Sequence, residues 1–364
     1  MSEVLMRLCL FLIFVLQLSA ELTVRETAPN GAWLEARIND DRSLQGLLFS
    51  DGSSVLYEYT DGHLNKIVRL NPQGMELYSQ SYHWNHHQLD SQTGWFATQY
   101  FHDDRGRLIS TLNPWREETI EYDSLGQAVR IGERIYSYDQ GGQITSEEGH
   151  FHAVYDAAGN LIQLNDRLIP NDNRLREGFT YDEGNQLVEA LGIRYVYDSY
   201  GRRIQKNSIS YLYLGFDEIA SFEHGRCKTL KIPGIGGPIA IEIEGKPYAP
   251  VIDAQGIIRT LIDPVDHSVY AENPCDIFGD GITDAIPYAY RGKRYDPDTG
   301  LLYFGRRYYD PSQHRWITPD PLGSVDHENL YQYVYNNPLR YSDPIGCSFW
   351  GYVLGLGEMS LVVL

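Results

Sequence analysis

Residues 291–346 read RGKRYDPDTGLLYFGRRYYDPSQHRWITPDPLGSVDHENLYQYVYNNPLRYSDPIG. Four Asp-Pro pairs punctuate this stretch, at Asp296-Pro297, Asp310-Pro311, Asp320-Pro321 and Asp343-Pro344; the last two open the sequences DPLG (320–323) and DPIG (343–346). Proline fixes φ and removes a backbone donor, so each pair ends a strand or makes a turn. Between the pairs lie the aromatic runs Leu301 to Phe304, Tyr308-Tyr309 and Tyr331 to Tyr335. A chain that folds back repeatedly, with its tyrosines packed on whatever it touches, is the expectation.

Upstream, a Tyr-Asp-x-x-Gly-x-apolar unit recurs, most clearly at Tyr122-Asp123, Tyr138-Asp139, Tyr155-Asp156 and Tyr197-Asp198. Tyr181-Asp182 carries Asn185 in the glycine slot, which suits a residue tolerant of left-handed φ. His102-Asp103 places histidine in the tyrosine slot, and Tyr59 to Leu64 and Trp84-Asn85 are shortened copies. The glycines at 126, 142, 159, 184 and 201 step by 16, 17, 25 and 17 residues, and a step of 16 or 17 holds two short strands and two turns. Each unit therefore reads as a β-hairpin: strand, Asp-x-x-Gly turn, strand, looser return. Ile120, Tyr136, Ala153, Phe179 and Tyr195, two positions before the tyrosines, mark one buried face. The tyrosine ring is expected on the next unit with its hydroxyl near water. One hairpin cannot bury a face alone, so the units stack into a continuous twisted sheet and the chain is all-β.

The stretches TGLLYFGRRYYDP (299–311), RWITPDPLG (315–323), NLYQYVYNNP (329–338) and SDPIG (342–346), together with the repeats, resemble the Rhs (rearrangement hot spot) and tyrosine–aspartate repeat family. That family includes bacterial polymorphic toxins, shell subunits of insecticidal toxin complexes and the animal teneurins. The resemblance implies hairpins winding into a β shell or partial barrel, closed by the C-terminal Asp-Pro-rich core. It also implies an aspartic self-cleavage just after the second Asp-Pro-x-Gly, near Gly346-Cys347, with Asp320 and Asp343 as the catalytic pair and Arg307 as a required arginine. Two adjacent carboxylates cannot both ionise easily, so one serves as base and the other as acid. Spacing alone favours a plainer reading, in which both aspartates are turn formers. Cys347 departs from the leucine usual after the second Asp-Pro-x-Gly.

The segments expected are a leader at 1–20, lead-in strands or a cap at 21–54, repeats at 55–225, connecting strands at 226–290, the core at 291–346 and a short variable tail at 347–364. Leu8 to Leu16 is unbroken apolar sequence after Arg7 and before Ser19-Ala20, a signal-peptide pattern too short for a stable membrane span. Export follows, to the cell envelope or beyond. The tail carries Glu358 as its one charge and no constellation for chemistry, so a toxin domain is not expected in it.

A net charge of −19 opposes a nucleic-acid partner, whose phosphates need Lys and Arg. Cys227, Cys275 and Cys347 remain after the leader that holds Cys9, with no spacing for a disulfide framework or zinc site. His83, His86 and His87 lack a fourth ligand, no EF-hand spacing appears, and Pro233 to Pro238 is a turn without the Lys-Ser/Thr of a phosphate loop, so neither metal nor cofactor is expected. Three function classes stand: a shell or scaffold without its own toxin domain, a shell that cuts itself once after Gly346, and a repeat protein whose Trp and Tyr residues bind carbohydrate or a cell surface. The partners expected are the chain's own C-terminal tail or a separately encoded cargo, with a cell-surface carbohydrate or protein as the further class.

Overall fold

The computed structural model describes residues 22–169, 177–323 and 329–347, with the backbone of 350–351. The expected leader and most of the expected tail lie outside the described residues. Sixteen strands, from Leu22–Thr27 to Arg167–Leu168, pair in chain order as one antiparallel meander. Eleven more, from Phe179–Tyr181 to Val269–Glu272, form a second sheet in the same way. The core adds a four-stranded sheet (Arg294–Asp296, Leu301–Tyr303, Tyr308–Asp310, Arg315–Trp316) and pairs Tyr341–Ser342 with Trp350–Gly351.

The repeat is built around its aspartate. Asp123 Oδ1 accepts the N–H groups of Leu125 and Gln127 at 2.8 and 2.9 Å, and Gln127 Nε2 closes on Oδ2 at 3.1 Å. The same ring forms with Arg107 on Asp103, Gln143 on Asp139, Asn160 on Asp156 and Arg202 on Asp198. The residue after the glycine is thus part of the motif. Asn185 takes the left-handed position at φ 61°, while Gly184 beside it does not.

Each repeat tyrosine sits at a β-bulge: the register shifts at Tyr122, Tyr138, Tyr155, Tyr181 and Tyr197. Its hydroxyl is not left near water. Tyr122 donates to Leu108 O (2.8 Å), Tyr138 to Ala128 O (2.6 Å), Tyr155 to Ile144 O (3.0 Å) and Tyr197 to Leu187 O (2.7 Å). Each acceptor lies two residues past the turn position of the preceding unit, so these four units fasten to the one before by the same bond. A backbone carbonyl beside a bulge has lost its ladder partner, and the phenol supplies one. Tyr138→Phe should cost about 1 kcal/mol in urea unfolding, the net worth of one hydrogen bond; an unchanged midpoint would remove this role.

The returns are also tighter than expected. Leu191-Gly192, His224-Gly225 and Glu244-Gly245 are two-residue turns with both φ values positive, 53° and 82° in the first. Such turns match the right-handed twist of the flanking strands.

Four of the five positions expected on the buried face, Ile120, Tyr136, Ala153 and Tyr195, are at most 5% exposed, and the fifth, Phe179, is half-buried. Residues of the repeats between Leu108 and Ile169 pack directly on Leu302, Phe304, Tyr309, Trp316 and Tyr333 of the Asp-Pro stretch. The N-terminal strands pack instead on Leu212 to Ala240 of the second sheet. The segment Asn329–Asn337 docks by amides on the repeat turns. Asn337 Nδ2 donates to Gly142 O (2.8 Å), Asn336 Nδ2 to Gly159 O (2.9 Å) and Asn329 Nδ2 to Ala158 O (3.0 Å).

Two further Asp-x-x-Gly turns, at Asp253 and Asp276, have no tyrosine before them. They dock on buried glutamates of the repeats. Glu118 Oε2 accepts Ala254 N–H and Glu147 Oε2 accepts Ile277 N–H, both at 2.9 Å. Burial, with Glu147 nearby, pushes the Asp276 carboxyl up to about 8. His314, stacked on Phe278 at 4.0 Å, is pulled down to about 3 by burial. Both are therefore neutral near pH 7, and their 3.9 Å approach is not an ion pair.

Because the folded Asp276 holds its proton to about pH 8 while an unfolded aspartate releases it near 4, its contribution is complete below pH 4. It is lost as pH rises toward 8, at up to about 1.4 kcal/mol per pH unit. Asp276→Asn should flatten that fall and raise stability at pH 7, measured by urea unfolding at pH 5 and 7. Equal pH slopes in parent and variant would contradict it.

Candidate active site

Three separate segments of the core bring Arg307, Asp320 and Asp343 together. Arg307 follows the strand Leu301–Tyr303, Asp320 opens the first Asp-Pro-x-Gly turn and Asp343 opens the second. Arg307 Nη2 lies 2.6 Å from Asp320 Oδ2 and 3.2 Å from Asp343 Oδ2, so one nitrogen holds both carboxylates. The guanidinium is buried, rests 4.2 Å over the Trp316 ring, and donates from Nη1 to Leu330 O at 3.1 Å. Burial pulls its pKa below the usual arginine value, against the opposing pull of Asp343 and Asp320.

A fifth contact of Arg307 defines the site. Its Nε donates to the carbonyl oxygen of Gly346. Asp343 Oδ1 accepts the N–H of Gly346 at 2.8 Å and that of Cys347 at 3.0 Å. The two ends of the Gly346–Cys347 peptide bond are therefore held by an arginine and an aspartate. Gly346 has φ 75°, and a Cβ there would lie 3.1 Å from Arg307 N and 3.3 Å from Arg307 Cβ; only glycine permits this approach without strain.

The aspartates are turn formers at the same time. Asp320 Oδ1 caps Leu322 N–H at 2.9 Å, and Asp343 caps its own turn. Both readings of the residues are thus satisfied by one geometry. Burial and Asp343 push the Cys347 thiol up to about 12, so it stays neutral at pH 7 and is a poor nucleophile.

Sequence reasoning missed Trp316 beneath the guanidinium and the carbonyl of Leu330, and neither has a spacing signal. It also missed Arg203, which ties the repeats to the core. Arg203 stands where other copies carry Leu108, Ala128, Ile144, Leu161 or Leu187, and a charge in an apolar slot was the available sign.

Hairpin repeats in sequential order, fastened tyrosine to carbonyl and packed on an Asp-Pro core, define the class of YD-repeat shell proteins. The homologues found for the chain are Rhs/YD-shell proteins. It is 25% identical over 271 residues to the tRNA nuclease WapA of Bacillus subtilis, covering 69% of this chain and 11% of that protein. It is 28% identical over 311 residues to human teneurin-4, covering 70% of this chain and 11% of that protein. No family model matches the chain. Among solved structures, the crystal structure of TcdB2-TccC3-Cdc42 superposes with a TM-score of 0.57 at 16% identity, over 90% of this chain and 24% of that one. The chain spans about a tenth of those two relatives' length and a quarter of the solved chain. Among the described residues, no helix is long and apolar enough to cross a membrane.

Proposed function

We propose that this chain is the terminal wall and core of an exported shell, and that it cuts itself once between Gly346 and Cys347. The observation that carries the reading is the grip of Arg307 and Asp343 on the two ends of that one bond, with Asp320 on the same guanidinium nitrogen.

Hydrolysis needs a base for water, positive charge for the oxyanion and a proton for the amine. Asp320, ionised, takes a proton from water as the water oxygen bonds to the Gly346 carbonyl carbon. Arg307 Nε stabilises the charge that develops on the carbonyl oxygen. Asp343 in its protonated form gives its proton to Cys347 N as the C–N bond breaks. The products are the carboxylic acid of Gly346 and the amine of Cys347; proton transfer from the acid and from Asp320 then leaves a carboxylate, an ammonium and a reprotonated Asp343.

The core closes one end of the shell, and the part released stays inside as cargo unless a separately encoded chain supplies it. Unbroken apolar sequence at 8–16 supports export. The experiment is the intact mass of the purified full chain beside its Asp320→Asn and Asp343→Asn variants. Loss of the segment after Gly346 in the parent alone supports the reading; an intact chain in all three overturns it.

A further inference from the structure

His63 opens the strand His63–Leu70, just after the Asp61-Gly62 turn, and His87 sits in the two-residue turn that joins Glu76–Asn85 to Gln88–Thr93. The first two of these strands pair antiparallel, with Lys66 opposite Ser81. The start of one therefore lies beside the end of the other, and the two turns are neighbours on one rim of the first sheet. His87 Nδ1 lies 3.2 Å from His63 Nε2, with the ring centres 5.2 Å apart and the rings inclined at 27°.

His63 is held for one role. Its Nδ1 lies 3.1 Å from Asp61 O. A carbonyl only accepts, so Nδ1 carries the proton, and in the neutral ring Nε2 carries the lone pair that faces His87. Trp84 packs on the ring at 4.8 Å and is itself fixed by its indole N–H on Leu64 O at 2.9 Å. A backbone carbonyl on the far nitrogen is the support that metal-binding histidines ordinarily have, because it sets tautomer and orientation. His87 is exposed, so its ring can turn and move its own proton to Nε2 through solvent. Zinc–imidazole bonds of about 2.0–2.1 Å that meet at about 100–110° place their two nitrogens roughly 3.1–3.4 Å apart, which the observed separation matches.

We propose that His63 and His87 form a two-histidine site for a divalent transition-metal ion of the nickel, copper or zinc class, which clamps the two turns together. Imidazole suits these ions, whereas calcium and magnesium take oxygen ligands. Among the described residues, no set of three or more His, Cys, Asp or Glu side chains gathers at metal distance, so water or a second molecule completes the coordination. The spacing of His83, His86 and His87 does not show this site, because the second ligand comes from the neighbouring hairpin. His86 Nδ1 lies instead 2.9 Å from Asn85 Oδ1.

The test is isothermal titration of the tag-free full chain with nickel chloride and zinc chloride, with magnesium chloride as the oxygen-seeking comparison. One nickel ion per chain should saturate the parent with a Kd below about 100 µM, and His63→Gln and His87→Gln should each weaken it at least about tenfold. His83→Gln and His86→Gln should bind as the parent does. Excess nickel should raise the urea midpoint of the parent and of these two controls, and leave that of His63→Gln and His87→Gln where it was. Failure of both ions to saturate the parent, parent-like binding by both His63→Gln and His87→Gln, an equal loss in His83→Gln or His86→Gln, or equal binding of magnesium would each overturn the proposal. None of these readouts depends on whether the Gly346–Cys347 bond is cut.

Discussion

Asp343→Asn protein should keep Gly346 and Cys347 joined, while the parent should resolve into two masses that meet at that bond. Asparagine preserves the oxygen that accepts the Gly346 and Cys347 N–H groups, so the second turn survives. What it loses is the ability to carry and release a proton. Asp320→Asn should act the same way from the water side, because it keeps the cap on Leu322 N–H and removes the base. Arg307→Lys is more discriminating. A lysine keeps one positive charge but cannot hold Gly346 O, Leu330 O and both carboxylates at once. Losing the oxyanion donor should slow the cut by about 10²–10³-fold, so uncut chain should persist and be consumed slowly on incubation. If the aspartates were turn formers alone, the parent and all three variants would share one mass.

Arg203→Met should destabilise the protein by about 3–5 kcal/mol in denaturant unfolding, because removing one partner of a buried pair strands the other. Arg203 is 0% exposed, and its Nη1 donates to Asp296, the aspartate of the first Asp-Pro pair. Its guanidinium lies 4.5 Å from the centre of the Tyr211 ring and 4.6 Å from that of Tyr303. The pair crosses from repeat wall to core, so its loss loosens the packing between them. Asp296 would keep Lys206 only at 3.5 Å. Arg203→Met combined with Asp296→Asn should regain much of the loss, since no buried carboxylate is left unpaired. If the double variant were no more stable than the single one, the loss would lie in the cation–ring contacts.

The Tyr-Asp-x-x-Gly phase was enough to read hairpins, their stacking and the buried positions, because bulge, turn and ring recur at a fixed spacing. It did not show where the tyrosine hydroxyls go. Their acceptors are carbonyls of the preceding unit, and backbone carbonyls leave no mark in a sequence. The tight returns were missed for a related reason: Leu191 at φ 53° is not a residue that announces a left-handed turn. At the candidate site, Asp320, Asp343 and Arg307 could be named from the resemblance, but not their meeting on one nitrogen, which depends on three segments folding together. Asp276 escaped notice because its turn lacks the tyrosine that flags the others.

The amide docking of the core has a consequence for timing. Asn336 and Gly159 are 177 positions apart, and Asn337 and Gly142 are 195 apart. A chain made from its N-terminus has its repeats long before the segment that seats on them. Asp320 and Asp343 flank that segment, so their convergence on Arg307 is expected to follow its docking on finished turns. The cut after Gly346 would then work as a checkpoint on assembly, and a chain whose repeats failed to form would remain uncut and so be marked as incomplete.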